Sequence, residues 1–481
     1  MSVKNSVLYN VLLAISQVLF PLITFPYLAR ILGPEHIGAL NFAESIAKYF
    51  VMLAALGIPI YGVREIAKLQ SNKKVLSKLF AEIFLINFIC TLFLTICFLG
   101  AIFYVKELAN DKLLFYWTLV YFFLQIFYLE WFFNGMSQFK YIAGRQIVIR
   151  FFFIGSVFVL IHTAQDYIKY MQMQVLLSII IASINVYYLF KFIKIDKELI
   201  TSLNLKQHIK PILYLFLTIF SISIYFSLDT ILLGFLADNE SVGYYSSALK
   251  LNKLIIAVLG AITIAVFPSL VKLYNDGETA KFTKSIQDCF FLIVSLSLPI
   301  AFVLGTCANE VVYLLFGEGF ERSVLPLQIT TPLIVIVSMS SIFGFQVLNA
   351  LSKDKAILIS AIIGMVTSIV FSLLLIPMFK ENGEAVTILI TELSVSVSFM
   401  YFTYKYFPIA NLSTIFLKQL IGLVPYIGII IFCKYFIHLV SIRLVVISVS
   451  SLTWFALMHF IISPNNLFKQ QFDFYYNKLT K

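Results

Sequence analysis

The segment LFAEIFLINFICTLFLTICFLGAIFYV, residues 79–105, decides the class of fold. Its 27 residues contain one charged side chain, Glu82. A helix needs about 20 mostly apolar residues to cross the hydrocarbon of a bilayer, because backbone groups find no water to bond there. The segment therefore predicts a transmembrane helix.

Segments of this kind occupy the whole chain of 481 residues, of which 60% are hydrophobic and 12% charged. A soluble globular protein is about 45–50% apolar and about 25% charged, and one buried core could not absorb such an excess. We predict an all-α polytopic membrane protein with about fourteen transmembrane helices. The predicted spans are residues 8–31, 37–62, 79–105, 113–135, 143–163, 167–192, 210–236, 242–271, 285–309, 324–350, 356–377, 383–405, 415–437 and 442–462.

The N-terminus and the cysteines add two expectations. The apolar stretch after Lys4 runs on to Ala29, which is longer than the apolar region of a signal peptide, so we expect no cleavable signal. The five cysteines are odd in number and lie in or beside apolar segments, which favours a packing role over disulfides. We expect no metal site and no cofactor.

Lysine and arginine are distributed unevenly between the two sides of the predicted membrane. Alternate loops, beginning with the N-terminus, hold 23 of the 35 basic residues, and the opposite loops hold 8. Cytoplasmic loops carry such an excess in membrane proteins. We predict that both termini are cytoplasmic and that the membrane is the inner one, with loops 63–78 and 193–209 inside. The net charge of +11 then needs no nucleic-acid partner.

The chain also contains an internal repeat with an offset of 205 residues. The matching pairs are Gly38 and Gly243, Ala43 and Ala248, and Lys48 and Lys253. Six spans per repeat give both halves the same orientation, as in transporters with parallel repeats. We expect a six-helix bundle at 1–209, a second at 210–406, and two additional helices with a cytoplasmic tail at 407–481.

Charged residues inside predicted spans indicate where a ligand binds, because a buried charge in the bilayer usually lines a cavity or has a partner. In span two, Asn41, Glu44, Ser45 and Lys48 follow the spacing of one helix face. In span eight, Ser246, Lys250 and Lys253 do the same. Both helices would present ammonium groups to a central cavity, which suits an anion and above all a phosphate.

Other interpretations stay open for these charges. Lys48 can form an intrahelical pair with Glu44. Lys250 and Lys253 can pair with a carboxylate elsewhere or extend to the membrane interface. Asp229 in span seven is a candidate for binding a proton or Na⁺, or for pairing with a cavity lysine.

Motifs for catalysis or for nucleotide hydrolysis do not occur in the sequence. There is no GxxxxGK[ST] loop and no HExxH, and the five histidines contain no i,i+4 pair. The predicted outer loops are too short to carry an active site. The sequence therefore predicts a transporter and not an enzyme.

Three stretches resemble a known family of transporters. They are PLITFPYLARILGPEHIG at 21–38, GIPIYGVREIA at 57–67 and EWFFNGMSQFKY at 130–141. These stretches resemble the Wzx-type polysaccharide flippases of the multidrug/oligosaccharidyl-lipid/polysaccharide exporter superfamily. Residues 242–253 resemble the start of span eight in the same group.

The resemblance implies a V-shaped carrier of two six-helix bundles. Such a carrier moves an undecaprenyl-pyrophosphate-linked oligosaccharide across the cytoplasmic membrane by alternating access, for the synthesis of O-antigen lipopolysaccharide, capsule or another surface polysaccharide. Its partners would be the lipid-linked oligosaccharide, membrane lipid and other polysaccharide-assembly membrane proteins. By position, Lys48, Lys250 and Lys253 would meet the pyrophosphate, with Arg30 near the mouth of span one.

Two alternatives compete with this interpretation. A multidrug antiporter of the same superfamily would use acidic cavity residues for cationic drugs and for H⁺ or Na⁺, whereas the lysines favour an anion. A polysaccharide polymerase or glycosyltransferase would need a large external loop with catalytic side chains. Neighbouring genes for glycosyltransferases would favour the flippase, and a drug-responsive regulator would favour the antiporter.

Overall fold

The protein is described here by a computed structural model. The structure describes residues 3–69, 72–194 and 203–462, with the backbone alone over 3–19, 217–227 and 456–462 and at positions 441, 448 and 452. Every regular element in this part of the chain is helical, so the predicted all-α fold is confirmed. The predicted cytoplasmic tail after residue 462 and the centre of loop 193–209 lie outside the described residues.

Ten helical stretches in the described part are long and apolar enough to cross a membrane. Two of the underlying helices have 53 residues each, Val3–Ala55 and Asp354–Tyr406, and each contains one residue with non-helical backbone angles. A straight helix of that length would measure about 80 Å, against about 30 Å of hydrocarbon. Each of these helices is therefore long enough for two crossings, and the total of fourteen stays a prediction.

The first compact unit of the chain comprises residues 1–246. Its helices are α1 (Val3–Ala55), α2 (Ile58–Lys68), α3 (Lys73–Tyr104), α4 (Lys106–Ala109), α5 (Lys112–Leu124), α6 (Glu130–Gly135), α7 (Phe139–Leu160), α8 (Tyr167–Leu189), α9 (Lys206–Leu236) and the beginning of α10 (Asn239–Asn275). Short 3₁₀ helices at Gln125–Tyr128 and Ala164–Asp166 join α5 to α6 and α7 to α8.

The kink in α1 lies where the sequence places a polar break. Gly33 has φ 72° and ψ 172°, which a residue without a Cβ adopts without strain, and Pro34 follows it. The second part of α1 ends at Ala55, and Ile58–Lys68 forms a separate amphipathic helix. The predicted second span, 37–62, is therefore too long at its C-terminal end.

A buried polar cluster attaches the segment between the two repeats to α3. Glu82 accepts hydrogen bonds from the backbone N–H of Asn204 at 2.7 Å and from His208 Nε2 at 2.8 Å. Because a carboxylate only accepts, Nε2 of His208 is the donor in this contact, and Nδ1 on the other side of the ring lies 2.7 Å from the hydroxyl of Tyr61. All three side chains are buried. The N-terminal end of α9 is thereby fixed to α2 and α3.

The second compact unit comprises residues 247–481. After the rest of α10 it contains α11 (Thr279–Thr306), α12 (Ala308–Phe316), α13 (Val324–Thr330), α14 (Pro332–Ser341), α15 (Asp354–Tyr406), α16 (Leu412–Ile421), α17 (Val424–Phe436) and α18 (Val440–Ile462). A π-helix at Ile342–Leu348 continues α14. The boundary between the two units lies inside α10, and the domain limits at 209 and 406 stay a prediction.

The kink in α15 lies in the gap between the predicted spans 356–377 and 383–405. The residue with non-helical angles is Lys380, at φ 49°. Gly383 is helical and packs against the backbone of Leu375, where a Cβ would overlap the carbonyl oxygen. Glu381 receives two hydrogen bonds from Arg322, at 2.9 and 3.0 Å, which fix the turn.

A second buried carboxylate attaches the two C-terminal helices to the rest of the second unit. Glu310 of α12 is 8% exposed, and its Oε1 lies 3.4 Å from Lys434 Nζ and 3.0 Å from Arg443 Nη2. Lys434 is in the last turn of α17 and Arg443 in the first turns of α18. Cys307 and Cys433 are buried in the apolar cluster of the same helices, in agreement with a packing role.

Candidate functional site

The second part of α1 carries the polar face predicted from the sequence. Glu44 and Lys48 form the expected i,i+4 pair, with 3.6 Å between Lys48 Nζ and Glu44 Oε2. The Lys48 side chain is 67% exposed and that of Glu44 is 23% exposed. An exposed pair of this kind contributes about 0.3–0.5 kcal/mol. The ammonium group of Lys48 is therefore accessible to a ligand despite its acidic neighbour.

Glu44 has a second partner that the sequence interpretation missed. Gln174 of α8 donates from Nε2 to Glu44 Oε1 at 2.6 Å. Tyr121 and Tyr170 lie within electrostatic range of the same carboxylate. Gln174 is one of several polar residues in α8, and no spacing rule connects α8 to α1. The contacts hold Glu44 in place from two helices.

Asp229 lies near the C-terminal end of α9 and is 5% exposed. Its Oδ1 accepts from the backbone N–H of Thr230 at 2.7 Å and from the Thr230 hydroxyl at 3.2 Å. The buried hydroxyl of Tyr245, on α10, donates to Oδ2 at 2.9 Å. These three donors occupy both carboxylate oxygens. Asp229 thereby joins α9 to the beginning of α10 inside the first unit.

The two lysines of span eight lie in the second unit. Lys250 is half-buried and Lys253 is exposed. Between them, the buried Asn252 donates to the Thr330 hydroxyl at 2.8 Å. At about 100° per residue, Asn252 lies about 160° from Lys250 around the helix axis. The face of α10 that carries Asn252 therefore packs inside the second unit. Lys250 lies on the opposite face of the helix.

The remaining predicted cation, Arg30, is exposed on α1 just before the kink. The structure thus brings Glu44 and Lys48 together and gives Asp229 its own partners within the first unit. The assignment of Lys48, Lys250, Lys253 and Arg30 to a common ligand stays a prediction. No group of three or more His, Cys, Asp or Glu side chains that could hold a metal ion occurs within the described ranges.

A contact between the repeats was also missed by the sequence interpretation. Asn41 Nδ2 donates to Ser246 Oγ at 2.8 Å, and these residues are separated by the repeat offset of 205. One turn earlier, Gly38 and Gly243 face each other: a Cβ on Gly38 would overlap the backbone of Asn239 and Gly243, and a Cβ on Gly243 would overlap that of Pro34. Equivalent residues of the two repeats therefore touch.

Comparisons with known proteins find relatives that match most of the chain. The chain is 28% identical to a putative O-antigen transporter of Escherichia coli (strain K12) over 409 residues, which cover 84% of this chain and 97% of that protein. It is 24% identical to a putative O-antigen transporter of Shigella dysenteriae over 392 residues, 81% of this chain and 97% of that protein.

Solved structures show the same fold at low identity. The structure of the lipid II flippase MurJ in an inward closed conformation covers 94% of this chain with a TM-score of 0.61 at 16% identity, and 99% of MurJ is matched. An inward-facing multidrug resistance MATE transporter of the MOP superfamily covers 83% of this chain, with 96% of its own length matched, a TM-score of 0.60 and 15% identity.

The family comparison carries the identification. The profile of the family described as polysaccharide biosynthesis protein matches residues 3–274, which is more than half of the chain. This range contains α1 with its polar face, the repeat contact and the three stretches on which the sequence resemblance rests. The chain is a multi-pass membrane protein that belongs to the polysaccharide biosynthesis protein family, as the resemblance predicted.

Proposed function

We propose that the protein is a flippase that moves undecaprenyl-pyrophosphate-linked oligosaccharide units across the cytoplasmic membrane by alternating access. The observation that carries this proposal is the exposed ammonium group of Lys48 on a membrane helix, 67% exposed beside a carboxylate that Gln174 already holds. A charge in that position is expensive unless it meets a ligand or water. The names of the relatives in E. coli and S. dysenteriae, both putative O-antigen transporters, support the substrate class.

The pyrophosphate is the part of such a substrate that a cationic site recognises. Lys48, Lys250 and Lys253 would bind its oxygens, with Arg30 at the entrance. Ammonium groups suit this task, because three rotatable donors on a flexible stem adapt to a moving phosphate. The oligosaccharide would then follow through the polar cavity as the lipid tail stays in the bilayer.

The two carboxylates are candidates for coupling transport to an ion gradient. Asp229 and Glu44 would each bind a proton or Na⁺ in one state of the cycle, or balance the charge of the cavity lysines. Both lie on helices of the first unit and are held by neutral donors, Tyr245 and Gln174. At Glu44 the coupling ion would bind beside Lys48, whose Nζ lies 3.6 Å from Glu44 Oε2.

The orientation follows from the basic loops. With 23 of 35 basic residues in alternate loops, both termini lie in the cytoplasm of the inner membrane. The substrate would enter from the side on which lipid-linked units are made. Other polysaccharide-assembly proteins of the membrane would receive it on the opposite side, and no step of this transport requires an enzymatic activity of the chain.

The test is a deletion strain complemented with the wild-type gene. Without the protein, lipid-linked units should accumulate with their sugars accessible only from the cytoplasm, and surface polysaccharide should be missing. A membrane-impermeant reagent that oxidises or labels sugars distinguishes the two leaflets. Surface polysaccharide that persists while efflux of cationic dyes fails would identify a multidrug antiporter, for which the acidic Glu44 and Asp229 would be the binding groups.

A further inference from the structure

The part of α10 that carries the two candidate lysines is attached to span ten by two polar contacts. Asn252 donates from Nδ2 to the Thr330 hydroxyl of α13 at 2.8 Å. Gln346, in the π-helix, donates from Nε2 to the backbone carbonyl of Thr263 at 2.8 Å. All four residues belong to the second compact unit and are at most 2% exposed. Both contacts therefore lie in the packed interior of that unit.

The two contacts lie on one face of α10. Asn252 and Thr263 are eleven residues apart, and at about 100° per residue they differ by about 20° around the helix axis. Leu259 and Leu270 belong to the buried apolar cluster of the unit, and both lie within about 20° of Asn252. Polar contacts and apolar core thus share the inward face of the helix.

Lys250 and Lys253 project from the rest of the circumference. They lie about 160° and about 100° from Asn252 around the axis. A turn of α10 by about 60° displaces a group about 5 Å from the axis by about 5 Å. This displacement is longer than a hydrogen bond, so the rotation of α10 decides what the two ammonium groups can reach.

Pro268 makes the rotation of this segment dependent on contacts with its neighbours. Proline has no N–H, so the carbonyl of Ile264 loses its helical donor and α10 is weakened at that point. Both contacts and both lysines lie before Pro268, on the segment that the weak point allows to turn. Gln346 bonds to the Thr263 carbonyl, one residue before the carbonyl that proline leaves without a donor.

We propose that Asn252 and Gln346 are positioning residues, which fix the rotation of α10 before Pro268 and thereby the direction in which Lys250 and Lys253 project. This inference rests on the proposed function, in which those lysines bind a pyrophosphate. The hydrophobic effect is non-directional, so apolar packing alone would allow neighbouring rotations. Two hydrogen bonds on one helix face select a single rotation, because they need a defined angle as well as a distance.

The native Cys289 of α11 can report this rotation without a change to the lysines. Its sulfur lies 3.5 Å from Gln346 Nε2, and its side chain is buried in the same apolar cluster. Asn252 lies about 16 Å from Thr263 along α10, so Asn252→Leu should affect Cys289 by moving the helix. With Cys289 as the single cysteine, Asn252→Leu should speed its reaction with N-ethylmaleimide by about two- to tenfold, the effect of losing one buried hydrogen bond. An unchanged rate overturns the inference.

Two further variants separate rotation from a general loss of stability. Thr330→Val removes the acceptor of the Asn252 bond, so it should give a similar acceleration even if Asn252→Leu folds poorly. The matched control is Ser360→Ala, which removes a buried side-chain bond of 2.7 Å to Ser398 within α15 of the same unit. Its Cys289 rate should stay at the wild-type value. Equal acceleration by Ser360→Ala would mean that the whole unit has loosened, and would refute the inference.

Surface polysaccharide display separates the inference from the proposed function. Gln346→Met should lower display, but it should have no further effect when Lys250→Ala and Lys253→Ala are present, because residues that act together are not additive. Expression is set so that display of the lysine variant stays measurable. Equal losses in both backgrounds would overturn the positioning role. Full display from the lysine variant, together with a faster Cys289 reaction in Asn252→Leu, would keep the rotation and refute the role of the lysines in the proposed function.

Discussion

Replacing Lys48 by alanine should strongly reduce transport of the lipid-linked substrate. The structure gives the reason, because the ammonium group is 67% exposed and its neighbour Glu44 is already bonded to Gln174. A pyrophosphate oxygen that replaces water near Lys48 would therefore keep most of the attraction to the ammonium charge. Lys48→Arg should preserve part of the activity, since the charge stays and only the geometry of the donors changes.

The size of the effect follows from Coulomb's law. Two unit charges 4 Å apart interact by about 1 kcal/mol in water and about 4 kcal/mol at an effective dielectric of 20. The exposure of Lys48 places it between these limits, at about 2 kcal/mol for one phosphate contact. The competing pair with Glu44 removes about 0.3–0.5 kcal/mol of this. Lys48→Ala should therefore weaken binding by about ten- to thirtyfold.

The assay is surface polysaccharide display at matched protein levels, titrated by lowering expression until transport limits display. Lys281→Ala is the control, because Lys281 is also exposed, at 72%, and also pairs with an acid on its own helix, Glu278, at 2.6 Å. Folding is checked by monodisperse extraction in detergent. Full display from Lys48→Ala at limiting expression would refute the role of this charge, whatever the substrate.

Three further predictions concern topology and stability. A membrane-impermeant thiol reagent outside the cell should label Asn239→Cys and miss Asn204→Cys; the reverse pattern would refute the orientation. His208→Ala removes a donor from a buried carboxylate, which costs about 1–3 kcal/mol, so it should lower the melting temperature of purified protein while the exposed His162→Ala does not. Arg443→Met should also lower the melting temperature, because it removes a cation from Glu310, whereas Arg443→Lys should lower it much less. Equal melting temperatures for the two variants would contradict the buried pair.

The features that the sequence predicts well depend on short-range rules. Apolar length predicts the helices, and the gap between the predicted spans 8–31 and 37–62 contains the kink in α1, because these signals need no knowledge of neighbouring helices. The pair Glu44–Lys48 follows from helical spacing in the same way. The apolar fraction of the chain exceeds that of a typical soluble protein, and this excess alone indicates a membrane protein.

The features that the sequence does not predict depend on contacts between distant helices. Gln174 reaches Glu44 across 130 residues, and Asn41 reaches Ser246 across 205. The repeat reveals that Gly38 and Gly243 are equivalent, but equivalence does not imply contact. The close approach of Gly383 to the backbone of Leu375 is also a packing contact that local propensity does not encode.

The buried carboxylate of Glu310 has a consequence for how this chain could have changed over time. Its two cations, Lys434 and Arg443, are both supplied by the C-terminal pair of helices. A shortened chain that ends near residue 407 would keep the acid and lose both cations, which leaves a charge in an apolar environment. The additional helices are therefore entrenched: once Glu310 depends on them, they can be lost only after a second substitution has removed the acid.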